Sequence, residues 1–397
     1  MLRLGIAGIG AIADDYIGLI VGGKVRDVAL TALCSRNEAH IREAAQRHGL
    51  QAAAFTDYGA MLRSGQVDAI LICTPHAQHP EMTRQALEAG LHVLVEKPVG
   101  IFADEVAEIL PVLAERPELV CGVMYNRRAA QAYRHVKNLV QSGELGELVR
   151  CSWIITNLYR TEAYYTSGAW RGTWQGEGGG LLMTQASHQL DLMQWICGMP
   201  VSVLARCSTI GRPIQVENEA ELFLTYLNGA HGHFIASAHE CPGTNLLEIC
   251  GTRGRISVRD DSEVEIIRLE EDERTFARSC PSPFEQVSGT VERLTFDDRN
   301  NKAQQAATIQ NFVAAAQGAG PIQCSLEEGL RSLQIIHGAY LSHWMGCTVT
   351  LPGDERVFCR ILNRTGASMA IGHGPLSKQE KRAPAVFFFT TTSLNWM

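Results

Sequence analysis

The chain opens on an alternation in which Leu2, Leu4 and Ile6 are separated by smaller or polar residues. An apolar run then breaks at Gly8 and Gly10 and gives way to a helical pattern by Ala13. This reads as a strand, a tight turn and a helix start. Strand and helix patterns go on alternating. Strands are predicted at Val28 to Cys34, Ala52 to Phe55, Asp68 to Cys73, Leu91 to Val95 and Leu119 to Val123, with helices at Glu38 to His48, Pro80 to Ala89 and Phe102 to Leu113. Such an order builds a parallel sheet, which binds ligands beyond the C-terminal ends of its strands.

Past residue 123 the period changes. A helix from Ala130 to Ser142 ends at Gly143-Glu144-Leu145-Gly146, and segments of period two follow. They run over Val149 to Thr156, Val201 to Thr209, Glu219 to Tyr226, His231 to Ala238, Leu246 to Cys250, Arg255 to Val258 and, last, Val264 to Leu269. Short turns such as Asn228-Gly229 make hairpins of them, hence a mostly antiparallel sheet. Apolar-striped helices at Asn301 to Ala316 and Leu326 to Met345 fold the chain back onto its first part. The expected architecture is an α/β Rossmann domain with a parallel sheet at 1–123 and an α+β domain with a large open-faced sheet at 124–351. An irregular tail is expected at 352–397, with a charge cluster from Lys378 to Arg382 and the Phe387 to Phe389 run.

Composition narrows the partners. The 397 residues are 46% apolar and 19% charged, with a net charge of -7 and scattered lysines and arginines, so no basic footprint for nucleic acid is present. No run is long enough to span a bilayer, and the opening strand leaves no room for a signal segment before it, so a cytoplasmic protein without membrane association is expected. Twelve cysteines without a C-x-x-C pair read as reduced and mostly buried.

The candidate chemistry sits where strands end. In Gly8-x-Gly10-x-x-Ala13 the first glycine makes the turn, the second admits a pyrophosphate, and the small third residue lets helix and strand pack, with Ile12 beside it. The second strand ends in Ser35-Arg36-Asn37, with neither Ser35 nor Arg36 acidic. That tilts a NAD or NADP site toward NADP, although Arg36 could stack on adenine and Asn37 serve a ribose. Thr74 and Pro75 line the nicotinamide side, and His79 opens or orients the next helix. His76 and His79, three apart without accompanying ligands, make no metal site. Lys97, in Glu96-Lys97-Pro98, is held at a strand end by the restriction that a following proline imposes. An ammonium placed there can exchange a proton with a substrate hydroxyl and stabilise an alkoxide.

A second cluster runs from Ser167 to Gly198. Trp170, Arg171 and Trp174 suit a ring with one apolar face and polar edges. Gly178, Gly179 and Gly180 let the backbone pass close to something. Thr184, His188 and Asp191 are spaced for one helix face, making His188 an acid, base or hydroxyl ligand and Asp191 its orienting group or a helix partner. Glu217, Glu219 and Glu221 alternate onto a face read as solvent or interface, and His231 and His233 read as ordinary sheet residues.

Together the glycine turn, the Glu96-Lys97-Pro98 triplet and the GGG…T-Q-A-S-H-x-x-D run resemble the glucose-fructose oxidoreductase, inositol dehydrogenase and rhizopine catabolism (Gfo/Idh/MocA) family from Leu2 to about Leu351. The resemblance implies NAD(P)-dependent oxidation of a secondary alcohol on a sugar, cyclitol or related polyol. It also implies a homodimer or homotetramer formed through the open sheet. It assigns catalysis to Lys97 and His188, with Thr184 standing where the family usually has an aspartate. Glu96 orders the lysine strand or the cofactor side, Asn126 contacts cofactor or substrate, and Tyr125 lies on the substrate side. The alternatives are a glycoside hydrolase that cycles NAD without net oxidation, a reductase of a biliverdin-like or dihydrodiol-like substrate, and a non-catalytic NAD(P)-binding sensor.

Overall fold

The computed structural model describes residues 1–297 and 299–368. Strands β1 (Leu2–Ala7), β2 (Val28–Cys34), β3 (Ala53–Phe55), β4 (Ala69–Ile72), β5 (His92–Val95) and β6 (Cys121–Val123) form a parallel sheet in the order β3-β2-β1-β4-β5-β6. Leu4, Ile6, Leu33, Ile70, Leu71 and Ile72 are wholly buried. Helices cover both faces of such a sheet, which is why its strands read as nearly unbroken apolar runs. The strand order reverses between β1 and β4, so a crevice opens beyond their C-terminal ends.

One predicted helix is broken. The stretch from Phe102 to Leu113 forms two short helices, Ala103–Ala107 and Ile109–Ala114. Pro111 has no amide hydrogen to return to Ala107, so the turn between them loses a bond.

The second sheet has nine strands: β7 (Leu148–Ile155), β8 (Ser202–Ser208), β9 (Glu219–Thr225), β10 (His231–Ser237), β11 (Asn245–Gly251), β12 (Gly254–Arg259), β13 (Glu263–Leu269), β14 (Gly289–Thr295) and β15 (Val349–Thr350). Their order is β14-β13-β12-β11-β7-β10-β9-β8-β15, antiparallel except where β7 and β10 run parallel. The Asn228-Gly229 turn joins β9 to β10 with Gly229 at φ +83°. The sheet therefore continues past Leu269, where the sequence pattern ends. β14 is exposed along almost its whole length and is held by pairing with β13 and by an Arg293–Glu265 ion pair of 2.8 Å. An edge strand of charged and small residues has no buried face to write a period-two signature. The helix Glu273–Ser279 before it, which has no buried residue, escaped prediction for the same reason.

Helices Ser187–Cys197 and Leu326–Met345 pack over β7 and β8 on one face of the sheet. Ile154, Leu204, Phe223 and Ile235 stay exposed, and the register pairs Ile154 with Ile235 and Leu204 with Phe223.

The segment expected to be irregular after residue 351 opens instead with the helix Glu355–Ser368. Val357, Phe358, Ile361 and Leu362 form its apolar stripe, and wholly buried Phe358 stacks on His337 with centroids 3.8 Å apart. His337 Nδ1 donates to Glu355 at 2.8 Å and closes the contact. The Lys378 to Arg382 cluster and the Phe387 to Phe389 run lie outside the described residues. All twelve cysteines are unbridged, but five are buried, five half-buried and Cys241 and Cys347 exposed, fewer in the core than expected. No helix among the described residues is long and apolar enough to cross a membrane.

Candidate active site

The two glycines of the opening turn are required for different reasons. Gly8 has φ +90°, and a Cβ there would lie 2.8 Å from backbone atoms of Cys73 and Thr74. Only glycine fits both demands. Gly10 precedes the helix Ala11–Val21, and a Cβ on it would meet nothing within 4 Å. That open space lies at unpaired N–H groups of the helix N-terminus, the surroundings a pyrophosphate needs. Ala13 is wholly buried where helix meets sheet, with Ile12 half-buried beside it. At the end of β2, the Asn37 side chain caps the helix Glu38–His48 by accepting from Ala39 N at 3.0 Å, and Ser35 Oγ accepts from Asn37 N at 3.2 Å. Arg36 is exposed, with no carboxylate partner among the described residues. These residues fit a dinucleotide.

The loops after β4 and β5 are braced together. His79 is wholly buried, with Nδ1 2.8 Å from the carbonyl of Pro98 and Nε2 2.7 Å from that of Thr74. It joins two loops, and the sequence view of it as a cofactor contact is corrected to that bracing role. Thr74 Oγ1 lies 3.3 Å from Met82 Sδ, and Pro75 leads into the turn that carries His76. Glu96 is buried, accepting the Tyr16 hydroxyl from the helix after the glycine turn and the amide of Lys97 at 3.1 Å. One carboxylate thus fixes the lysine strand to the cofactor helix.

Lys97 faces a cavity of about 350 Å³ between the two sheets, shared with His76, Arg127, Thr184, Gln185 and His188. Its Nζ donates to the backbone carbonyl of Thr184 at 2.8 Å. Burial pushes the lysine pKa down and Arg160 and Arg171 push it the same way, while Glu96 and Glu177 oppose them. His188 stands edge-on to buried Tyr125, centroids 5.7 Å apart. Burial, Lys97 and Arg127 hold its pKa well below the ordinary value, so the imidazole is neutral. Its Nδ1 is buried without a hydrogen-bond partner among the described residues.

Several sequence-derived roles change. Asp191 does not orient His188: it is wholly buried in a bidentate pair with Arg128, both bonds 2.7 Å, and also accepts from Ser332 at 2.9 Å. Thr184 reaches Lys97 only through its carbonyl, and its hydroxyl donates to Gly180 O at 2.8 Å. Trp174 is buried against Tyr340 and Trp344 and donates to Gln215 O at 3.0 Å, so it belongs to the core and not to the cavity wall. Tyr125 reaches the cavity only through His188. Asn126 is buried and donates to Asn301 at 2.7 Å, tying the first domain to the helix Asn301–Ala316. Glu217 lies inside, accepting from Gly180 N at 3.0 Å, Leu182 N at 2.9 Å and Tyr340 at 2.8 Å. The glycine run approaches protein, since a Cβ on Gly180 would lie 2.0 Å from Glu217 O.

The cavity also holds residues that sequence reasoning missed. Arg160, Tyr164 and Gln185 line it with Trp170 and Arg171. The Tyr164 hydroxyl accepts from Arg171 at 2.6 Å and from Gln185 at 2.8 Å, and the Arg171 guanidinium lies over the Tyr164 and Trp170 rings. The available signal was the density of arginine and aromatic side chains between Leu158 and Arg171.

A glycine turn on a parallel sheet, with a lysine at an interdomain cavity, defines the class: a NAD-binding oxidoreductase. The chain belongs to the Gfo/Idh/MocA oxidoreductase family. The family model for its NAD-binding Rossmann fold matches residues 2–125, and that for its C-terminal domain matches 133–257. The chain is similar to the uncharacterized oxidoreductase YrbE of Bacillus subtilis, 28% identical over 89% of this chain and 97% of that protein. It is also similar to inositol 2-dehydrogenase of Corynebacterium glutamicum, 29% identical over 50% of this chain and 55% of the relative. The WlbA dehydrogenase of Bordetella pertussis, solved with NADH and UDP-GlcNAcA, superposes with TM-score 0.72 at 24% identity, covering 89% of this chain and 99% of that one. Levoglucosan dehydrogenase, solved with NADH, does so with TM-score 0.74 at 19% identity, covering 89% and 100%. Likeness at those identities establishes the fold.

Proposed function

We propose that the protein is a dehydrogenase of a secondary alcohol on a sugar, cyclitol or related polyol, with Lys97 as principal acid and base. The observation that carries the reading is the Lys97 ammonium on the cavity wall beside His188, with its pKa lowered. When bound, a nicotinamide dinucleotide would supply hydride exchange, and the Gly8–Ala13 turn and the ends of β2, β4 and β5 would hold it. Neutral Lys97 takes the hydroxyl proton during oxidation and returns it during reduction. Neutral His188 holds the hydroxyl or relays that proton. Trp170 offers a flat apolar face to a ring, with Arg171 and Thr184 at its polar edge. The names of relatives, an inositol 2-dehydrogenase and a levoglucosan dehydrogenase, support this substrate class.

Ser35 and Arg36, with no acidic side chain at the end of β2, support acceptance of NADP. The exposed apolar residues Ile154, Leu204, Phe223 and Ile235 support a homodimer or homotetramer through the open sheet face. A spectrophotometric screen of sugars and cyclitols with NAD and NADP tests the reaction and the cofactor together. Net formation of reduced cofactor supports the dehydrogenase. Glycoside cleavage without net cofactor change overturns it in favour of redox cycling, and cofactor binding with neither reaction favours a sensor.

A further inference from the structure

One wall of the cavity carries more positive charge than the protein itself balances. Arg127 is neutralised by Asp261 at 2.7 Å. Arg160 has no carboxylate within ion-pair distance among the described residues. Its Nη1 donates to the carbonyls of Leu158 at 3.2 Å and Tyr159 at 2.8 Å, and its Nε and Nη2 have no hydrogen-bond partner there. Arg171 likewise spends only Nη1, on Tyr164, and its nearest carboxylate is Glu177 at 3.9 Å. Glu177 is a poor counter-ion. It is buried, its Oε2 is taken by Gly172 N at 2.6 Å, and burial pushes its pKa up to about 7, so near neutrality it is partly uncharged.

Two guanidinium groups therefore lie over the Tyr164 ring, at 5.2 Å for Arg160 and 4.4 Å for Arg171, each with its Nε–Nη2 edge free of hydrogen bonds among the described residues. That edge matches the two oxygens of a carboxylate or phosphate. The Tyr164 hydroxyl already accepts two hydrogen bonds, so its own hydrogen is left to donate. The unspent polar capacity of Arg160, Arg171 and Tyr164 is donor capacity, and a neutral polyol leaves it without a charged acceptor.

We infer that Arg160, Arg171 and Tyr164 form an anion clamp, and that the substrate is a sugar or cyclitol derivative bearing a carboxylate or phosphate, bound there with its reacting carbinol at Lys97. The inference rests on the dehydrogenase reading for its carbinol and extends it to the substrate's charge.

Titration calorimetry on the protein saturated with NADH tests the clamp, using D-glucuronate and D-glucose 6-phosphate against D-glucose and myo-inositol. Turnover of the same probes is followed separately. At least one anion binds wild type more tightly than the neutral probes, by about 10- to 100-fold as charge-assisted hydrogen bonds are worth, and salt reduces the advantage. Which anion wins separates a carboxylate from a phosphate. Arg160→Gln and Arg171→Gln each weaken the anions far more than the neutral probes and so remove the advantage, while Arg160→Lys keeps only part of it because it lacks the fork. The clamp is overturned if neither anion binds more tightly than the neutral probes, or if both glutamine variants weaken all four probes equally. Turnover of neutral sugars without anion preference sinks the clamp and leaves the dehydrogenase standing. Selective anion binding without turnover of any probe does the opposite.

Discussion

Lys97 Nζ donates to the backbone carbonyl of Thr184 at 2.8 Å, so the loop after β5 is tied to the chain that leads into the helix of His188. The contact holds the lysine without neutralising it and does not depend on the threonine side chain. Lys97→Ala is expected to lose at least about 100-fold in turnover while NADH titrates as in wild type, the usual value of a positioned acid or base. Thr184→Ala, which keeps the carbonyl, should lose far less. His188→Ala should raise KM more than it lowers kcat. Near-normal turnover in Lys97→Ala with a large loss in His188→Ala would make the histidine the base.

The pH profile should report the lysine. Oxidation needs neutral Lys97, so kcat/KM for a neutral polyol should rise with pH and level off, with a midpoint below the ordinary lysine value. Reduction should fall over the same range. Arg160 holds the lysine pKa down, so Arg160→Gln should move the midpoint to higher pH. Glu177 pulls it up, so Glu177→Gln should move it lower. Profiles unmoved in both variants would assign the titration to another group.

The glycine turn yields opposite outcomes at neighbouring positions. Gly8→Ala adds a Cβ at φ +90° against backbone, and should lower unfolding free energy by about 1–3 kcal/mol in urea titrations. Gly10→Val adds its side chain to open space, so apo stability should hardly change while NADH affinity collapses. Normal NADH binding in Gly10→Val would remove the pyrophosphate from that space.

The buried Arg128–Asp191 pair should matter to the fold before the chemistry. Asp191→Ala strips Arg128 of its bidentate partner, leaving Glu328 at 2.9 Å as its remaining carboxylate, and should cost about 3 kcal/mol of stability, measured by denaturant unfolding. Turnover per folded molecule should fall much less than in Lys97→Ala. A large kcat loss at unchanged stability would return Asp191 to the proton path.

What the sequence determined by itself was local. Period-two and helical patterns placed the strands of the first sheet and seven of the nine in the second, β14 and β15 excepted, because each repeat is written by burial on one face or both. The glycine turn was legible because φ +90° at Gly8 is a demand that only one residue type meets without strain. Lys97 was legible because it stands just after a buried strand, where parallel sheets place their ligands. Tertiary structure decided the partners. Thr184, His188 and Asp191 share one face only if their helix is continuous, but the chain forms two helices, Leu181–Thr184 and Ser187–Cys197. The break at Gln185 and Ala186 resets the phase of Thr184 against His188, whereas His188 and Asp191 share the second helix and are parted by what it packs on, His188 meeting the cavity and Asp191 meeting Arg128. Arg160 comes to the same cavity from the segment that follows β7, and Trp174 leaves it for Tyr340, 166 positions along the chain. Those assignments depend on which surfaces meet across the two sheets, and residue spacing carries no information about pairings so distant in the chain.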